Sequence, residues 1–80
     1  MLKPTKKNAQ AVVRRRVAPL LKIDNGLVEI VRVRRKERTV EVRFGGAYRG
    51  SPCRETLVHC VIEPIFREEL SDIQNVECVD

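Results

Sequence analysis

Gly45-Gly46-Ala47-Tyr48-Arg49-Gly50-Ser51-Pro52-Cys53 is the junction on which the fold turns. Before it, Thr39 to Phe44 alternates Val40, Val42 and Phe44 with Glu41 and Arg43, the period-two pattern of a half-buried strand whose glutamate and arginine face outward. After it, Ser51 suits a helix N-cap and Pro52 the first helical position. Glu55 falls in the first turns, where a carboxylate suits the helix dipole. The spacing predicts a helix to about Leu70, with Leu57, Val61 and Ile65 and the adjacent Val58, Ile62 and Phe66 forming a broad apolar face. Pro64 should kink it near Cys60, because proline lacks the N–H that the turn needs.

Outward from this junction the same reasoning gives the remaining elements. Leu27 to Arg34 reads as a strand, with Val28 and Ile30 on one face and Glu29, Val31 and Val33 on the other. Arg34-Arg35-Lys36-Glu37-Arg38 joins the two strands and contains no Gly or Asn, so a loop longer than a two-residue primed turn is expected. Upstream, Val13, Val17, Leu20 and Leu21 give an apolar stripe on a helix over about Asn8 to Lys22, whose last turn Pro19 should kink. Asp24-Asn25-Gly26 is a stop and a turn, with Gly26 available for positive φ. Residues 1–7 read as a flexible basic arm. Downstream, Ser71-Asp72 ends the second helix, and Gln74 to Val79 is a short last strand with Val76 and Cys78 on one face. The order helix-strand-strand-helix-strand makes an α+β domain spanning 1–80. It has a small three-stranded mixed sheet, from a hairpin and a helical crossover, with two helices on one face.

Composition narrows the class of function. The 80 residues are 42% apolar with Phe44, Tyr48 and Phe66 as the aromatic side chains, so the core is built from Val, Leu and Ile. No apolar run approaches the length of a membrane span. Three cysteines and no apolar leader segment argue against a disulfide framework and for a reducing, cytoplasmic setting. The net charge of +5 hides an asymmetry: residues 1–54 hold 15 of the 16 Lys/Arg, while residues 55–80 hold seven of the 11 Asp/Glu. A chain so divided can pair with itself or offer its basic part to an anionic partner. No nucleophile–base or paired-carboxylate constellation is present, and the glycine loop lacks both P-loop and dinucleotide spacing, so an enzyme is not expected.

The loop, taken with its surroundings, resembles the C-terminal domain of NifU-type iron–sulfur scaffold proteins, also called the Nfu type. The family's loop reads Gly-Ala-Cys-x-Gly-Cys-Pro, and Gly46, Ala47, Gly50 and Pro52 match that frame. Val17-Ala18-Pro19-Leu20-Leu21 is similar to the family's proline-bearing helix end, and Asp24-Asn25-Gly26 stands where the family has Asp-Gly-Gly. Val28-Glu29-Ile30-Val31 matches its first strand, and Thr56-Leu57 and Arg67-Glu68-Glu69-Leu70 its second helix. The resemblance covers roughly residues 10–79. It implies a role in iron–sulfur cluster assembly, with assembly or target proteins as partners and a homodimer as one form of the chain. In the family, the Cys-x-x-Cys loops of two subunits grip one cluster between them.

The two cysteine positions of that loop hold Tyr48 and Ser51, whose hard oxygens are poor ligands for an iron–sulfur cluster. Cys53, just past the proline and between Arg49 and Arg54, is the candidate replacement thiolate, since a helix start and neighbouring cations lower a thiol pKa. Two Cys53 thiolates from a dimer would hold a 2Fe–2S cluster only with two further ligands, from glutathione or a partner. The resemblance therefore implies a cluster scaffold or carrier if Cys53 serves, and an adaptor docking through Gly46–Cys53 if it does not. Cys60 and Cys78 are expected to be packing residues, and His59 a surface or capping residue. Tyr48 is either a contact residue at a loop tip or a filler of the space a cluster would leave. The alternative reading is a small basic module binding nucleic acid or protein without metal. Its candidate contacts are Arg34, Arg35, Lys36 and Arg38 at the hairpin tip, with Arg14–Arg16 and Lys3, Lys6 and Lys7 adding charge. The bland counterpart is a solvated face, or pairing of these cations with the acidic second helix. No aromatic stacking platform accompanies them.

Overall fold

The computed structural model describes residues 1–22, 26–46, 48 and 54–79. A first helix, formed by the continuous segments Lys6–Val12, Val13–Val17 and Ala18–Lys22, leads to β1 (Gly26–Arg34) and β2 (Thr39–Gly46). A second helix follows, formed by Arg54–Leu57, Val58–Ile62 and Glu63–Glu69, and then β3 (Asn75–Cys78). The sheet order is β1-β2-β3, with β1 antiparallel and β3 parallel to β2. Both helices bury their apolar faces on the same side of this sheet, in one core. The expected α+β class and element order are those observed.

Each helix carries one residue every four positions into the core. Ala9, Val13, Val17 and Leu21 from the first, and Val58, Ile62, Phe66 and Leu70 at and beyond the second, are all buried. In an ideal α-helix of 3.6 residues per turn, a strict four-residue spacing drifts about 40° at every step. The two helices take up that drift in the same way, with one π-helical turn each, at Val13–Val17 and Val58–Ile62. The N–H of Ala18 reaches back five residues to the Val13 carbonyl, and that of Glu63 to Val58. A proline follows each turn at the same offset, Pro19 and Pro64. Its missing N–H and its clash with the carbonyl four residues back are accommodated by the wider turn, so neither helix breaks. Leu20, expected in the apolar stripe, lies off the four-residue row and is exposed.

β1 carries a bulge at Val31, between the pairs Ile30↔Val42 and Arg32↔Glu41. One extra residue reverses the alternation beyond it. Val28 and Ile30 face the core before the bulge, and Val33 packs against it afterwards, opposite Val40. The sequence pattern alone put Val33 on the outer face. The hairpin loop is Arg35–Arg38, as long as expected, and Arg38 takes a left-handed φ of 53°. The first residues are held to the fold: Leu2 bridges Leu70, its N–H donating to the Glu69 carbonyl (2.8 Å) and its own carbonyl accepting from Ser71 N–H (2.8 Å). Thr5 then N-caps the first helix through its Oγ1, which accepts from Asn8 N–H at 3.2 Å. Among the described residues, no helix is long and apolar enough to cross a membrane.

Candidate functional site

At the end of the sheet where β1 begins and β2 finishes, Gly46 takes a φ of 61°, a left-handed value that favours glycine. Two residues on, the N–H of Tyr48 donates to the Gly45 carbonyl (3.3 Å), and its side chain turns inward. The Tyr48 ring is half-buried, packs on the core, and meets Phe44 edge-on with centroids 6.2 Å apart at 60°. Its Cδ2–Cε2 edge also lies close against the start of β1. A Cβ built on Gly26 would come within 2.0 Å of Tyr48 Cδ2 and 2.1 Å of Cε2. Gly26 was expected to serve a turn; what it provides is room for this ring. The ring is thus a packing group of the domain core. Gly50, Ser51, Pro52 and Cys53, together with the Ser51-Pro52 cap and the Asp24-Asn25 turn, lie outside the described residues.

Position 48, a ligand position by the resemblance, holds an aromatic ring packed on the core. Cys60, expected to be a packing residue, is exposed instead. It stands two residues from Val58, about half a turn off the buried row, so its thiol points to water. Cys78 is half-buried against the core, in line with its expected packing role. Among the described residues, no three His, Cys, Asp or Glu side chains come together to hold a metal ion.

Five arginines of the basic half, Arg15, Arg16, Arg32, Arg34 and Arg43, meet carboxylates. Arg15 and Arg16 reach across to the end of the second helix, where Arg15 meets Glu69 at 2.7 Å and Arg16 meets Glu68 and Glu69 at 3.1 and 3.0 Å. The Arg16 hydrogen bond, ahead of the Arg15 charge, holds the Glu69 carboxyl below its ordinary pKa of 4.5 against the opposing effect of desolvation. On the open face of the sheet, Glu41 accepts from Arg32 (2.9 Å) and Arg34 (3.1 Å), and Arg43 pairs with Glu29 (3.1 Å). Glu41, expected outside, is only 8% exposed, because these two arginines lie over it on the central strand. Arg34 also approaches Glu37 (3.5 Å) and Glu77 (3.8 Å), and its hydrogen bond to Glu41 raises its pKa further above the ordinary arginine value.

Of the four hairpin-tip candidates, Arg34 is thus shared among three carboxylates, and the Arg35 Nε donates to the Pro4 carbonyl (3.2 Å). Lys36 and Arg38 are exposed and make no ion pair among the described residues.

One residue with a structural task escaped the sequence reading. Glu63 is 7% exposed, although it sits in mid-helix. One carboxylate oxygen accepts the backbone N–H of Val76 on the edge strand β3 (3.1 Å), and the other accepts from Arg67 (2.5 Å). It thereby satisfies an outward-facing donor that an edge strand would otherwise present to other chains. His59 Nδ1 lies 3.5 Å from the same carboxylate, so the lone histidine does have an acidic neighbour, one turn on. The Glu63-x-x-x-Arg67 and His59-x-x-x-Glu63 spacings were the available signal, since residues four apart share a helix face. Beside this link, Glu55, Val58, His59, Val76, Glu77 and Cys78 line a shallow cleft of ≈ 260 Å³ between the second helix and β3.

Compared with known families, the chain matches the NifU-like domain over residues 10–77. No curated protein matches it.

Proposed function

The chain belongs to the NifU-like domain family, whose role is in iron–sulfur cluster assembly, and on that premise we propose that it acts there as a non-enzymatic adaptor rather than as a cluster scaffold or carrier. The observation that carries this reading is the seat of Tyr48. A family ligand position has become a packing position, with the ring fitted over Gly26 and against Phe44. Restoring a thiol there would open a gap in the domain, so the substitution and its surroundings agree with each other. We assign contact with iron–sulfur assembly or target proteins to the loop Gly46–Cys53. Its glycines and proline keep the family frame while the ligands at 48 and 51 are gone. The free thiols of Cys60 and Cys78 support a reducing, cytoplasmic setting.

Cys53 is the residue through which this reading would fail. Anaerobic incubation with iron and sulfide, followed by desalting, iron analysis and a visible spectrum, tests it directly beside a Cys53→Ser control. The expected result is an iron-free, colourless protein in both cases. A thiolate-to-iron charge-transfer band that disappears in Cys53→Ser would show that Cys53 has taken over a ligand role and that carrier function survives. In the alternative reading, a basic module for nucleic acid, Lys36 and Arg38 would carry the contacts, because Arg34 is already engaged.

A further inference from the structure

The end of the molecule opposite the family loop gathers cations that make no ion pair among the described residues. The Arg35 Nε bond to the Pro4 carbonyl (3.2 Å) brings the hairpin tip against the residues that precede the first helix. Asn8 Nδ2 bonds the Lys3 carbonyl (3.0 Å), fixing the same segment to the helix start. The Arg38 carbonyl accepts from the N–H groups of Gln74 and Asn75 (2.9 and 3.1 Å), bringing in the turn before β3. Lys3, Lys6, Lys7, Arg35, Lys36 and Arg38 therefore surround one pole, all exposed, and none makes an ion pair among the described residues. Arg38 holds its place at a φ of 53°, where glycine or asparagine would sit with less strain. The eight residues of β2 separate this pole from the loop end by about 25 Å, at ~3.3 Å per residue.

We infer that this pole is a docking surface for an acidic segment of a partner protein, on the far side of the domain from the family loop. Three observations favour protein over nucleic acid. No aromatic side chain stands at this end among the described residues: Phe44 and Tyr48 are at the other, and Phe66 is fully buried, so bases have nothing to stack on. Four of the six cations are lysines, point charges without the fork that reads base edges, and one of the two arginines is already bonded to a carbonyl. Glu37 and Asp72 lie at the same end, and carboxylates among cations match the mixed rim of a protein interface rather than a phosphate-tracking groove. The inference rests on the adaptor reading only for its purpose, since an adaptor needs two faces; the binding itself is independent of the loop.

The test uses the full chain in low salt, with fluorescent poly-L-glutamate as the acidic probe and a 20-base-pair duplex DNA (about that length) as the competitor class. Lys36→Glu with Arg38→Asp reverses two charges at the pole; aspartate tolerates the left-handed backbone at 38. Arg14→Glu with Lys22→Glu makes the same change in net charge elsewhere. Four units of charge at roughly twofold each predict polyglutamate binding weakened roughly 16-fold in the pole variant and less than about twofold in the control. Thermal melts verify that both variants fold. Equal losses in the two variants, or no binding by the parent chain, would overturn the proposal. Tighter, pole-dependent binding of the duplex would overturn it in favour of nucleic acid. None of these readouts involves iron or residues 46–53, so a failure here leaves the loop reading to its own reconstitution experiment.

Discussion

Gly26→Ala is the substitution whose consequence the structure specifies most fully. The new methyl would stand 2.0 and 2.1 Å from two carbons of the Tyr48 ring, far inside van der Waals contact, so the ring has to leave its seat. What is lost is the edge-on contact with Phe44, worth about 0.5–1.5 kcal/mol beyond area burial, and part of the burial of the ring itself. Inserting a methyl into packed surroundings costs about 1–3 kcal/mol in general. The alanine returns about 0.4–1 kcal/mol by restricting the unfolded chain. The net expectation is a loss of roughly 1–2 kcal/mol from these opposing effects. Urea unfolding followed by circular dichroism measures it, and intrinsic fluorescence reports the ring directly, because Tyr48 is the sole tyrosine and there is no tryptophan. In a Tyr48→Ala background the same Gly26→Ala change should cost nothing or stabilise slightly, giving a coupling energy of about 1–2 kcal/mol. Equal costs in the two backgrounds would refute the argument that Gly26 exists to seat the ring.

Two further outcomes follow from the ion pairs and the edge strand. Glu63→Ala strands the Val76 N–H and leaves Arg67 only its bond to the Gln74 carbonyl, and should cost about 1–3 kcal/mol in urea unfolding, with faster hydrogen exchange at the Val76 amide; Glu63→Gln, which keeps an acceptor, should cost less. Loss of protection without loss of stability, or the reverse, would separate edge capping from simple packing. The Glu69 carboxyl is held below 4.5 chiefly by the Arg16 hydrogen bond, so its contribution is complete above that value and is lost as pH falls through the lower folded pKa. The difference in melting temperature between the parent and Arg16→Gln should therefore be full near about pH 7 and close below about pH 3; a difference that persists in acid would assign the effect to packing of the arginine stem.

Much of the fold was legible because its signals are local. The alternation of Val40, Val42 and Phe44 marks β2, and the four-residue rows mark both helices. What escaped the sequence depends on single-residue phase. One inserted residue at Val31 turns Val33 inward, and two π-helical turns keep the four-residue rows on the core while carrying Leu20 and Cys60 to the surface. Periodicity templates assume a constant pitch and do not anticipate such shifts. At the site, the sequence showed Tyr48 and Ser51 at the positions that the resemblance gives to cysteines. It did not show the destination of the Tyr48 ring, because that depends on a contact with Gly26, which is far away in sequence. Glu63 was passed over because a carboxylate in mid-helix reads as solvated until the Val76 N–H arrives from a strand 13 residues later.

The central claim is that this member of the NifU-like family has kept the fold and exchanged a ligand position for a packing position. The most direct measurement is anaerobic iron–sulfide reconstitution of the parent chain beside Tyr48→Cys with Ser51→Cys, reading bound iron and the visible spectrum of each. The account predicts a colourless parent and a coloured double variant that is less stable, by about 1–3 kcal/mol for the lost ring, because the frame supplied by Gly46, Gly50 and Pro52 is still the family's. A parent chain that takes up stoichiometric iron and sulfide, with the same spectrum as the double variant, would contradict it.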